Sequence, residues 1–393
     1  MRFGFLHPQS GDYAFLGQPS LGGARAAIGE INANGGVLGR EVELVVEDSL
    51  STAAGAVAGY NRISPEIDAL GGLELYGAIS LLNAVNGDEM PTMCPMCGTS
   101  ELGVRGGLYM WGLTASFNTN GVVAAQLARD LGYTRVALLV RAYPWLDTLA
   151  NRFRGAWEYV VGGEITADVR IVSTLDGYSA KVQQVIEGDP EALFVVPGYD
   201  EGAAVMSEVI DSGYEGTILV SSYLAGNEIA ELVAGLPVGR VLSAHVTNDV
   251  ESPAYAAFTA AHLEHAGKLP PGGFYEANQY DQYIALALAM TAAGSVEGPA
   301  VAAQVPQVLS APGTKVYTYA GGVAALERGE DIDYDGPSSS LDMNEAGDLI
   351  SPMISVTQNA NGQWYQRDVI RLDPNLFATA PVGRPPVRPS GRA

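Results

Sequence analysis

The chain has 393 residues, of which 47% are hydrophobic and 17% charged, a composition typical of a folded protein long enough for two lobes. Lys and Arg number 21 against 44 Asp and Glu, a formal net charge of −23, which argues against nucleic acids and anionic membrane surfaces as partners. No run of eighteen apolar residues occurs, so the sequence predicts no membrane span. Met1 directly precedes the first predicted strand, so we expect either that a leader has been removed or that the protein is cytoplasmic.

Residues 5–48 predict a strand, a helix and a second strand. The apolar run 3–6 is typical of a buried strand. Apolar residues then recur at three- and four-residue spacing from Leu21 to Ile31, which predicts a helix. Asn34-Gly35-Gly36 is a helix-ending signal, because Asn and Gly accept the left-handed conformation. Such units build parallel sheets with right-handed crossovers.

Strand and helix patterns alternate through residues 2–114 and again through residues 117–245. This repetition predicts an α/β fold with two doubly wound parallel-sheet lobes. Residues 354–358 and 363–372 flank Asn359-Ala360-Asn361-Gly362, which predicts an antiparallel pair with a glycine turn. The Pro- and Arg-rich segment 379–393 is expected to be poorly ordered.

The two cysteines, Cys94 and Cys97, form a single C-x-x-C motif. A four-ligand zinc site needs two further partners, and the four histidines are scattered. Redox chemistry is disfavoured because Pro95 and Gly98 do not suit the helix start that such a motif occupies. We therefore expect either two small apolar side chains or a local disulfide, and we predict no metal and no cofactor.

No catalytic motif is present: G-x-S-x-G, H-E-x-x-H, a P-loop and a G-x-G-x-x-G after a strand are all missing. The sequence therefore gives little support to a catalytic site, and we predict that the protein is not an enzyme.

Several motifs together resemble one family. SG-x-Y-A-x-x-G, a helix ending in E-I-N-x-x-G-G, and L-G-R-x-V-E-L-V-V-E-D resemble the opening of the periplasmic leucine/isoleucine/valine-binding proteins. These are the type I solute-binding proteins of ABC importers. Gly336-Pro337, Asp342 and Gly347-Asp348 match a later element of the family, so the resemblance extends to about Leu372.

The resemblance implies two lobes joined by three hinge crossovers, near residues 113–118, 245–250 and 328–338. The N-terminal lobe would comprise 1–114 plus 249–330. The C-terminal lobe would comprise 115–248 plus 331–372, with 373–393 as a tail.

Ligands of open α/β sheets bind beyond the carboxyl ends of the strands. The resemblance places ligand-binding residues on such loops in both lobes. Gly98 replaces the family's usual Thr, Leu75-Tyr76-Gly77 replaces a serine run, and Tyr223 replaces an acid that partners the ligand's ammonium. Glu74, Asp200 or Glu276 could replace that acid, whereas Arg141 is expected to be a solvated surface residue. The predicted ligand-binding residues are Tyr13, Leu75, Tyr76, Cys97, Gly98, Thr99, Trp145, Tyr199, Tyr223, Tyr275 and Glu276.

The resemblance implies an extracytoplasmic substrate-binding protein whose two lobes close over an amino acid or a related, possibly aromatic, carboxylate or amide. Its partner would be an ABC transporter permease, its location periplasmic, and its leader absent from this chain. The alternative is a cytoplasmic ligand-sensing regulator on the same fold, of the amide-sensor type. A signal peptide or lipoprotein cysteine upstream in the gene would exclude that alternative.

Overall fold

A computed structural model describes residues 1–98, 108–172, 177–198, 200–271, 275–344 and 349–377, without the side chains of Pro144, Trp145 and Tyr223. The predicted residues Thr99 and Tyr199, and the segment 379–393, therefore lie outside the described residues.

The elements follow one another mostly as strand and helix, and a π-helical segment, Gly155–Val161, continues the fifth α-helix. The strands are β1 Arg2–His7, β2 Glu43–Asp48, β3 Ala69–Gly71, β4 Thr92–Cys94, β5 Met110–Gly112, β6 Arg135–Arg141, β7 Glu164–Ile171, β8 Ala192–Val196, β9 Thr217–Val220, β10 Val241–Thr247, β11 Thr314–Val316, β12 Ile332–Tyr334, β13 Met353–Ala360 and β14 Gln363–Arg371. The α-helices are α1 Gly17–Ala33, α2 Ala53–Ile63, α3 Leu75–Gly87, α4 Thr119–Asp130, α5 Pro144–Arg154, α6 Ser179–Ile186, α7 Gly202–Asp211, α8 Asn227–Leu232, α9 Pro253–Ala266, α10 Glu276–Ala293, α11 Gly298–Leu309 and α12 Tyr319–Glu327.

The chain divides into two compact units. Unit 1 comprises Met1–Phe117, Val246–Ser355 and Val369–Leu372. Unit 2 comprises Asn118–His245, Val356–Asp368 and the described residues from Asp373 onward. Residues 331–355 thus belong to unit 1, whereas the sequence assigned them to the second lobe.

Unit 1 contains a five-stranded sheet in the order β2-β1-β3-β4-β5, and every neighbouring pair is parallel. Its core centres on α10, which is buried from Glu276 to Met290 and packs against α1 and α11. Glycines on α1 allow a close approach, because a Cβ on Gly23 would collide with the Glu276 carbonyl. A two-stranded parallel sheet, β11-β12, completes the unit.

The second sheet has seven strands in the order β14-β13-β10-β9-β8-β6-β7, and the pairs from β7 to β10 are parallel. The apolar strands β6 and β8 lie at its buried centre, as their continuous hydrophobic runs predict. Asn361 and Gly362 join β13 to β14 with φ values of 52° and 78°, as a tight hairpin turn requires. The predicted hairpin is confirmed.

Six of the twelve described α-helices begin at a side-chain cap or at a proline. Thr52 accepts a hydrogen bond from the Gly55 N–H at 2.9 Å, and Thr318 accepts one from the Gly321 N–H at 3.1 Å. Such caps satisfy backbone donors that the first turn leaves without a partner.

No single helix among the described residues is long and apolar enough to cross a membrane, although α10 and α11 pass that test as a pair bent by 112°.

Candidate functional site

The carboxyl ends of the five parallel strands meet at one edge of the unit 1 sheet, which we call the unit 1 edge. In folds of this kind the carboxyl edge is where ligands bind. Its loops follow β1, β2, β3, β4 and β5, and their described residues are 8–16, 49–52, 72–76, 95–98 and 113–117.

The loop after β1 carries Tyr13. Its backbone N–H donates to Ser51 Oγ at 3.0 Å, and Ser51 Oγ donates to the Ser10 carbonyl at 2.7 Å. Asp48 also accepts from Ser10 Oγ at 2.7 Å. The loops after β1 and β2 therefore hold each other, while the Tyr13 side chain remains 38% exposed.

The loop after β3 places a carboxylate at the start of α3. Glu74 is 6% exposed, and both of its carboxylate oxygens lie 3.1 Å from the Gly77 N–H. Burial raises the pKa of the Glu74 carboxyl above its usual value, and the Gly77 hydrogen bond opposes that rise. Leu75 and Tyr76 follow in the first turn of α3, and Tyr76 is 58% exposed. This loop thus offers an exposed aromatic ring beside a buried acid.

The loop after β4 is closed by a disulfide between Cys94 and Cys97, both of which are buried. The local disulfide was one of the two outcomes predicted from the sequence. The Gly98 carbonyl accepts from the Phe117 N–H at 2.8 Å, and a Cβ on Gly98 would lie 3.0 Å from the Ala115 carbonyl. Gly98 therefore lies against the loop after β5, where a side chain would require a shift.

A bridge between Glu74 and Met96 brings the loops after β3 and β4 together. The predicted residues Leu75, Tyr76, Cys97 and Gly98 accordingly belong to neighbouring loops of one edge.

The start of α10 joins this edge through hydrogen bonds. Asn278 Nδ2 donates to the Leu113 carbonyl at 2.8 Å, and Gln282 Oε1 accepts from the Gly72 N–H at 2.8 Å. Tyr275, which precedes the helix, has a φ of +62° and is 42% exposed, whereas Glu276 is buried. A left-handed backbone at a tyrosine is strained, and such strain is concentrated at functional sites.

His7, at the end of β1, is a buried residue that the sequence did not single out. Its Nδ1 donates to the Gly72 carbonyl at 2.5 Å. The Gly72 N–H donates to Gln282 Oε1, and Gln282 Nε2 donates to Gln279 Oε1 at 2.6 Å. Burial lowers the pKa of His7 to about 4, against the opposing effect of nearby carbonyls. The neutral ring thus ties β1 to the loop that leads into Glu74.

The carboxyl ends of β6, β7, β8 and β9 form the corresponding edge of unit 2, which we call the unit 2 edge. Arg141 ends β6, and its Nη1 lies 2.5 Å from Glu201 Oε1, with side-chain exposures of 18% and 8%. The expectation that Arg141 is a solvated surface residue is wrong, because its side chain is only 18% exposed and pairs with Glu201. The sequence did not signal this pair, since Glu201 lies 60 positions away. A Cβ on Gly198 would lie 2.8 Å from Glu201 Oε2, so the carboxylate lies against the loop after β8.

The other predicted residues of unit 2 are described only in part. Trp145 lies in the first turn of α5 and Tyr223 in a short 3-10 turn after β9, and their side chains are outside the described atoms. Their roles stay predictions, as do those of Tyr199 and Thr99.

A small cavity of about 10 Å³ lies within unit 2 behind its edge. The Oγ atoms of Ser221 and Ser243 line it, and neither has a hydrogen-bond partner among the described residues. A cavity of this size and polarity suits about one water molecule. We therefore regard it as a hydration site and not as a ligand pocket.

No group of three or more His, Cys, Asp or Glu side chains that could hold a metal ion occurs among the described residues.

The fold and its edges define the class of protein. Residues 1–363 match the family model described as periplasmic binding protein, and the chain belongs to that family. No curated protein sequence matches the chain.

Solved structures with the same α/β fold include a leucine-binding protein from Thermotoga maritima, which is 20% identical with a TM-score of 0.61 over 94% of this chain and 98% of that chain. A branched-chain amino acid transporter substrate-binding protein from Streptococcus pneumoniae, solved with isoleucine, is 20% identical with a TM-score of 0.60 over 94% and 99%. A solute-binding protein from Rhodopseudomonas palustris HaA2, solved with p-hydroxybenzoic acid, is 17% identical with a TM-score of 0.63 over 95% and 98%. At these identities the structures establish the type I periplasmic binding protein fold, with its two parallel-dominated sheets.

Proposed function

We propose that the protein is the extracytoplasmic substrate-binding component of an ABC importer and takes one small organic solute, an amino acid or a related carboxylate or amide. Membership of the periplasmic binding protein family supports this proposal. In the proposal the protein carries out no chemistry: ligand binding shifts a conformational equilibrium, and an ABC permease is the partner.

The observation that carries the proposal is a set of exposed tyrosines at the unit 1 edge. Tyr13, Tyr76 and Tyr275 are 38%, 58% and 42% exposed, and all three lie at the same sheet edge. Their rings offer apolar faces with polar edges, which suit small organic ligands. The strained backbone at Tyr275 supports the same conclusion.

The residues proposed to contact a ligand are Tyr13, Leu75, Tyr76, Cys97, Gly98, Thr99, Tyr275 and Glu276 in unit 1 and Trp145, Tyr199 and Tyr223 in unit 2.

The first experiment is a thermal-shift screen of amino acids, amides, amines and aromatic acids. A ligand that binds only the folded protein raises Tm by mass action. We expect a hit that is weakened at least tenfold by Tyr76→Ala or Tyr275→Ala.

Tyr159→Ala is the matched control, because Tyr159 is 61% exposed but lies in the π-helical segment before β7, away from the carboxyl ends. If no compound raises Tm, the proposed function is wrong. If a hit is unaffected by both edge variants, the unit 1 edge is not the site. Loss of uptake of the same solute in cells lacking the gene would test the importer role.

A further inference from the structure

The start of α3 already holds a carboxylate that belongs to the chain. Glu74 accepts from the Gly77 N–H with both oxygens and is 6% exposed. The first-turn N–H groups and the helix dipole make such a position favourable for an anion. A ligand carboxylate at this position would find the Gly77 N–H already hydrogen-bonded to Glu74, and the buried Glu74 carboxylate would repel it.

The described residues of the unit 1 edge offer no compensating cation. Its described loops contain two acids, Asp12 and Glu74, and no Lys or Arg. Glu276 adds a third, buried acid at the start of α10. A desolvated carboxylate needs a cation or several donors, so binding one against this edge is costly.

The described part of the unit 2 edge has two cations, Arg141 and Arg170, and both pair with carboxylates. Arg170 lies 3.1 Å from Asp147 and 3.1 Å from Asp168. Arg141 pairs with Glu201 at 2.5 Å, and both side chains are largely buried. A ligand carboxylate could gain the guanidinium only by competing with Glu201, which the chain holds in place against Gly198. The described residues of both edges therefore present acceptors in excess over positive charge, in a chain whose net charge is −23.

We infer that the ligand is a small amine or amide that presents N–H donors to Glu74 and bears no free carboxylate. This inference rests on the proposed function and narrows its ligand class. The exposed tyrosines add ring faces that attract cations and apolar groups alike. The negative charge of the chain also favours the approach of cations over that of anions.

The test uses ligand series that differ only in the polar group. Leucine, leucinamide and 3-methylbutylamine form one series, and 4-hydroxybenzoate, 4-hydroxybenzamide and 4-hydroxybenzylamine form another. Affinities are measured on the full chain by calorimetry after a thermal-shift screen. In at least one series we expect the amide or amine to bind at least tenfold more tightly than the carboxylate.

Glu74→Gln tests the residue itself, because the amide keeps an acceptor for Gly77 and removes the charge. We expect it to weaken the amine by on the order of tenfold and to strengthen the carboxylate, so that the ratio between them falls. Glu201→Gln is the second variant, and it too should strengthen the carboxylate by freeing part of the Arg141 charge.

Thr318→Ala is the matched control, since it removes a cap of the same i to i+3 type from α12 and should leave the ratio unchanged. If the carboxylate binds as tightly as its amide and its amine in every series that binds, the inference is overturned but the proposed function stands. An unchanged ratio in both Glu variants also overturns the inference. If neither these compounds nor the wider screen gives a hit, both this inference and the proposed function are wrong.

Discussion

The buried acid Asp281 should make the stability of unit 1 fall as pH rises. Asp281 lies in the middle of α10 and is fully buried. It accepts from Tyr334 Oη at 2.8 Å, from the Ser338 N–H at 3.0 Å and from Ser338 Oγ at 2.5 Å. Burial raises its pKa to about 7, which outweighs these hydrogen bonds.

The size of the effect follows from linkage. The unfolded carboxyl has a pKa of 3.8 and the folded one of about 7, so the folded state binds more protons between these values. The contribution to stability is therefore fully present below about pH 4 and is lost as pH rises through about 7. Three pKa units correspond to about 4 kcal/mol in total, of which about 3 kcal/mol is lost between pH 5 and pH 8.

Asp281→Asn removes the titration, so the variant should show none of this pH dependence. The assay is urea unfolding of wild type and variant at pH 5 and pH 8, read as the change in their difference. Because all other groups titrate in both proteins, their contributions cancel. Asp189→Asn is the control, since the Asp189 side chain is 96% exposed. A difference that stays within about 1 kcal/mol between the two pH values would refute the reasoning.

Four further predictions concern the edges. The free energy of unfolding of the wild type should fall by about 3 kcal/mol as pH falls from 6.5 towards 4, because burial makes the folded His7 ring harder to protonate than the unfolded one. His7→Gln should abolish this fall, and equal pH profiles of the two proteins in urea unfolding would contradict the prediction. Tyr275→Gly should relieve backbone strain of roughly 1 kcal/mol and raise Tm while weakening ligand binding, whereas a lower Tm would show that the ring packs usefully. Reduction of Cys94–Cys97 should lower Tm by less than about 5 °C, because the bond closes a loop of only a few residues; a fall of ten degrees would show that the bridge is essential. Tyr199→Ala should weaken ligand binding without changing the unfolding transition, and unchanged affinity would remove Tyr199 from the site.

Most of the fold could be predicted because its signals are local. The spacing of apolar residues in α1 and the apolar runs of β6 and β8 indicate their structure without reference to the rest of the chain. The strands β11 and β12 were not predicted, because each is short and has a charged residue at its centre, Lys315 and Asp333, which interrupts any apolar run.

The site was harder to predict, because its geometry depends on distant partners. The pairing of Arg141 with Glu201 spans 60 residues, and nothing near Arg141 signals it. The left-handed backbone of Tyr275 contradicts the local preference of tyrosine, so the residue type does not signal it. Glu74 was noted as a possible partner for a ligand, but its use as a helix cap depends on a folded first turn.

Residues of α10 and α12 pack against the beginning of the chain, and this has a consequence for folding during synthesis. Tyr283 Oη donates to the Gly4 carbonyl at 2.8 Å, and Tyr319 Oη donates to the Gly36 carbonyl at 2.8 Å. β1 and α1 therefore leave the ribosome long before the residues that bury them exist. Unit 2 draws most of its residues from the continuous stretch Asn118–His245 and can form in the meantime. We expect the apolar residues among the first hundred to stay unburied until α10 and α12 have been synthesised, so that unit 1 folds last.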